Sequence, residues 1–88
     1  MKFIKRSYLR RKLLSLKGRF LAIAGYKRKD GTAYYKNVLI INQTKRFGFN
    51  NLLTVLEINK RRASFKSIAL EGVRFFLYKK DIYYVCDF

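Results

Sequence analysis

The side chains able to do chemistry in this chain are overwhelmingly cations. Lys27-Arg28-Lys29, Lys45-Arg46 and Lys60-Arg61-Arg62 form three short basic clusters. The first nineteen residues add eight Lys and Arg without one acidic residue. Phe47 and Phe49 flank Gly48 directly after Lys45-Arg46. Cations interleaved with rings suit a single-stranded nucleic acid: charges hold phosphates while rings stack on bases, at about 1–3 kcal/mol per base. The competing use of such a loop is structural, with Phe49 and then Phe47 folding back to plug one end of a small β domain.

What is missing narrows the chemistry further. There is no histidine, which removes imidazole catalysis and the commonest metal ligand. Cys86 is the one cysteine, so neither an internal disulfide nor a Cys-rich zinc site can form. Asp30, Glu57, Glu71, Asp81 and Asp87 are too scattered for a hydrolytic pair or a calcium loop. The expectation is a binding protein, not an enzyme, with no cofactor and no metal.

The composition agrees. The 88 residues carry 21 Lys and Arg against five acids, a net charge of +16, yet half are hydrophobic. A disordered basic tail would lack that apolar surface. Residues 71–88 carry three charges of each sign, so the excess sits in the first two-thirds of the chain. Such a surplus repels itself unless a counter-charge is supplied. No apolar run reaches the ~18–20 residues of a membrane span, and Leu13-Leu14-Ser15-Leu16 is too short for a secretory core. The expected location is the cytoplasm.

Two units are expected: a basic N-terminal arm, residues 1–17, and a small all-β domain, residues 18–88. In the arm, Ile4, Tyr8, Leu9, Leu13 and Leu16 spread around a helical wheel, with Lys5, Arg6, Arg10, Arg11 and Lys12 between them. These five cations are expected on phosphates. The alternative is a helix packed on the β domain with its basic positions merely solvated. From Gly18 onward five to six short strands are expected. Residues 19–26 and 33–42 flank Asp30-Gly31, a strong hairpin signal, and place Lys27, Arg28 and Lys29 at a tip joined by Lys36. Residues 52–58, 63–68, 73–78 and 82–88 follow, with a tight or 3₁₀ turn near residues 69–72. Val38 to Ile41 is apolar on both faces, so something beyond the domain's own core must cover one of them.

The runs Lys29-Asp30-Gly31-Thr32, Leu53-Thr54-Val55-Leu56-Glu57 and Ser64-Phe65-Lys66-Ser67-Ile68 resemble a family of short phage-encoded proteins with an Sm-like or SH3-like barrel, related to the WYL domain. The resemblance covers residues 18–78. It implies a small barrel of phage origin, working in a bacterial cytoplasm, that binds nucleic acid or a regulatory partner and carries no catalytic residues. Homo-oligomers through edge strands are a further implication.

The leading expectation is therefore a non-catalytic nucleic-acid-binding protein, DNA or RNA. It would contact phosphates through the arm and through Lys27, Arg28, Lys29, Lys36, Lys45, Arg46, Lys60, Arg61 and Arg62, with Phe47 stacking. One alternative is a structural component of the ribosome or another ribonucleoprotein. The other is a phage protein that docks on a host or viral enzyme such as RNA polymerase.

Overall fold

A computed structural model describes residues 1–27, 29–41, 52–59 and 61–87. The described chain is mostly β, with seven strands in a single sheet and one short helix. The strands are β1 (Lys2–Lys5), β2 (Phe20–Tyr26), β3 (Ala33–Ile40), β4 (Leu52–Asn59), β5 (Arg62–Ala69), β6 (Val73–Tyr78) and β7 (Asp81–Cys86). Their order is β1-β7-β6-β2-β3-β4-β5, and every neighbouring pair is antiparallel except β1 with β7. One strand more than expected is present, because Lys2–Lys5 of the basic arm pairs beside Tyr83–Cys86. A four-residue run with two lysines has no strand signature of its own; its partner dictates its conformation.

The helix α1 (Arg6–Ser15) follows at once. Its first turn has no acidic residue and its cap, Lys5, makes no side-chain bond, so nothing there favours the positive end of the helix dipole. Packing holds it instead. Leu9, Leu13 and Leu16 recur at i, i+4 and i+7 and are buried against the sheet. The scatter expected on the wheel came from Ile4, which belongs to β1, and Tyr8, which is exposed. Arg6 donates to the Asp87 carboxylate just beyond β7 and to the Leu70 carbonyl, and Arg10 donates to the Leu52 carbonyl at 2.8 Å.

The bond from Arg6 holds the Asp87 carboxyl below its usual range. Its stabilisation is thus complete above the ordinary aspartate range and is lost as pH falls through the depressed folded value. Urea midpoints measured from pH 6 to pH 2 should fall less steeply in Asp87→Asn than in the native chain, while Asp30, also lowered by the Thr32 amide, keeps its own acid response.

The β2–β3 hairpin forms as its Asp-Gly signal predicts. Asp30 accepts from the Thr32 amide at 3.0 Å, and Gly31 turns the chain at φ +72°. A less local constraint shapes the sheet. Ala69 lies opposite Leu52 at the start of β4, whereas Val73 lies opposite Gly25 near the end of β2. Between them stands only the 3₁₀ turn Leu70–Gly72. In a flat sheet β5 and β6 would be four strand spacings apart, about 19 Å, but four residue steps reach at most ~14 Å. The sheet must therefore curl. Where it does, Gly25 and Gly72 meet backbone to backbone: a Cβ on Gly25 would stand 2.2 Å from the Gly72 carbonyl oxygen.

Residues paired across an antiparallel ladder share a face. Leu21, Ile23, Val38, Ile40, Leu53, Val55, Ile68 and Phe76 line the inner face and, with the α1 leucines, form one buried core.

Candidate nucleic-acid interface

The strand directions sort the cationic connections into two groups. β2 and β4 run the same way, so the β2–β3 and β4–β5 turns leave from one end of the sheet. Lys27, Lys29, Arg61 and Arg62 are all exposed there. Arg28 and Lys60, expected in the same turns, lie outside the described residues. The β3–β4 connection departs from Ile40 and Leu52 at the opposite end. Its Lys45, Arg46 and Phe47 also lie outside the described residues, as does Phe49.

Curling of the sheet turns the β2–β3 hairpin to face β5. A groove of about 350 Å³ lies between them, lined by Tyr26, Lys27, Lys29, Tyr34, Lys36 and Lys66 together with Leu52 and residues 67–69. None of its described lining residues is acidic. Lys66 is the member that the sequence reading missed. It lies in a strand, not in a basic cluster, and only the pairing of β5 with β4 and the curl of the sheet carry it to the hairpin. Lys36 differs from the exposed lysines: its Nζ is 3.3 Å from Glu57 Oε1, both side chains are largely buried, and it sits 5.4 Å from the Tyr34 ring centre. Its charge is already balanced by Glu57, which leaves Lys27, Lys29 and Lys66 as the groove's exposed cations, Lys27 sharing the hairpin tip with the Asp30 carboxylate. The Tyr34 hydroxyl is enclosed without a hydrogen-bond partner among the described residues, and burial raises its pKa, so it stays neutral at physiological pH.

The arm cations are not brought to this groove as a set. The guanidiniums of Arg6 and Arg10 bond within the fold. Arg11 lies 5.8 Å from the Tyr8 ring and Lys12 4.9 Å from the Tyr83 ring, while Lys5 is exposed at the end of β1. Among the described residues no group of three potential metal ligands occurs, and no helix is long and apolar enough to cross a membrane. Comparison with family models, curated proteins and solved structures finds no match to this chain.

Proposed function

We propose that this protein binds nucleic acid without catalysing a reaction, holding phosphates in the cationic groove between the β2–β3 hairpin and β5. The observation that carries this reading is the groove in which Lys27, Lys29 and Lys66 converge with no acidic residue among its described lining. A cleft lined by one sign of charge attracts the opposite sign from a distance and concentrates it. Repeated phosphates can neutralise a charge of +16 that five acids leave uncompensated.

The scaffold is read as a small Sm-like or SH3-like barrel. The run β6-β2-β3-β4-β5 and the 3₁₀ turn joining β5 to β6 support that reading, with β7 and β1 added beyond β6. A phage source belongs to the same proposal, on the resemblance of residues 18–78.

Fluorescence anisotropy with a labelled oligonucleotide tests the binding. With 6–10 phosphates engaged, affinity should drop about 10³–10⁵-fold between 50 and 200 mM salt. The triple reversal Lys27→Glu, Lys29→Glu and Lys66→Glu should weaken binding by more than ~100-fold and flatten the log–log salt slope by about three. Circular dichroism should remain native, because all three side chains are exposed. A flat salt response, or an unchanged affinity in the triple variant, would exclude this site.

A further inference from the structure

The outer face of the sheet breaks the usual alternation of apolar-inward and polar-outward residues. Counting every second residue from Phe20, Ala33, Leu52 and Ala63, the outward positions of β2, β3, β4 and β5 contain no charged side chain. The strand charges Lys36, Glu57, Arg62 and Lys66 all take the other parity. In place of charge the outer face carries rings. Pairing aligns Phe20, Leu39, Leu56 and Phe65 in one row across four strands, with Phe20 64% and Phe65 70% exposed. A second row passes from Phe3 to Tyr84 and Phe75, at 6.0 and 5.8 Å between ring centres, then by register through Ala24 to the exposed Tyr35.

The ends of this face are basic. Lys27, Lys29 and Arg61 stand at one end, and Lys17, Arg19, Lys79 and Lys80 at the other, all exposed. Exposed rings in an uncharged field between two cationic margins complement a ligand with flat, neutral rings on an anionic backbone. Only unpaired nucleotides offer those rings, since a duplex keeps its bases stacked within itself and presents phosphates outward. A second copy of the chain fits less well, because each copy would bring a charge of +16 to the contact.

We infer that the outer sheet face is a stacking platform for single-stranded nucleic acid, with Phe20, Tyr35 and Phe65 as its ring contacts. The inference rests on the nucleic-acid reading above and adds the strandedness of the ligand and a second surface of contact. Its test uses the full chain, a labelled oligothymidylate or oligouridylate, and a duplex of equal length. The single strands should bind at least tenfold more tightly than the duplex at equal salt. Phe20→Ala with Phe65→Ala should reduce single-strand affinity by roughly tenfold or more per ring and leave the salt slope unchanged, since no cation is removed. Phe65→Trp should retain binding and introduce a sole tryptophan, whose emission the single strand quenches.

Equal affinity for duplex and single strand, or a double-alanine variant that binds normally while the lysine reversals do not, overturns the platform and leaves the phosphate site standing. Light scattering that shows a dimer dissolved by the double-alanine variant, with oligonucleotide affinity intact, assigns the face to self-association and also overturns it. Absence of any salt-dependent binding in the native chain removes the underlying reading itself.

Discussion

Gly72→Ala is expected to destabilise the fold at or above the upper end of the ~1–3 kcal/mol typical of overpacking. A Cβ at Gly72 would stand 2.3 Å from the Tyr26 carbonyl oxygen, and one at Gly25 would meet the Gly72 carbonyl, with two further backbone atoms at 2.9 Å. The conflict is backbone against a new side chain, so no rotamer change relieves it. Both glycines sit where the three-residue link forces β6 to return beside β2, and separating them would undo the curl of the sheet. A domain of this size has little reserve, since total stability is of order 5–15 kcal/mol. Urea unfolding followed by circular dichroism should give a strongly reduced midpoint for either variant. Gly31→Ala, at a site with open space around it but a positive φ, should cost less. A near-native midpoint for Gly72→Ala would refute the close approach.

Leu13→Ala should cost about 2–5 kcal/mol. Leu13 is completely buried, as is Leu9 one turn earlier, and both belong to the buried core that α1 shares with the inner face of the sheet. Because the helix has neither a side-chain cap nor an acidic first turn, its own sequence offers little to resist fraying once the leucine contact is lost. Loss of helical ellipticity at denaturant concentrations below the main transition would show α1 detaching first. A single transition with a lower midpoint would show it as part of the cooperative core. Leu14→Ala, on a partly buried side chain packed at the margin, should have a smaller effect.

The parts of this molecule legible in the sequence are those fixed by neighbours in the chain. Asp30-Gly31 announced its hairpin because turn chemistry is local, and Ala69-Leu70-Glu71-Gly72 between two strand-like runs marked the tight turn that forms as one turn of 3₁₀ helix. The β4–β5 and β6–β7 pairs likewise lie within short sequence separations. β1 could not be read from Lys2–Lys5, because it is a strand only in the presence of residues some eighty positions later. The helix was obscured by two apolar residues that do not belong to its buried stripe. The candidate site divides in the same way: Lys27 and Lys29 were visible as a basic tip, whereas Lys66 joins them only through the curl of the sheet. Arg6 and Arg10 looked equivalent to the other cations of the arm, yet the fold gives their guanidiniums carbonyl and carboxylate acceptors that composition cannot reveal.

The parallel pairing of the first strand with the last has a consequence for biosynthesis. During vectorial translation Lys2–Lys5 is made before the other strands of this sheet but has no neighbour to pair with until Asp81–Cys86 has been made. Closing a contact of that sequence separation is among the slow steps of folding. The nascent chain thus carries Lys2–Lys5 unpaired while β2 to β6 are made, and the Arg6 contact to Asp87 waits with it. The hairpins can assemble in the order in which they are made, but the latch that secures the helix follows all of them.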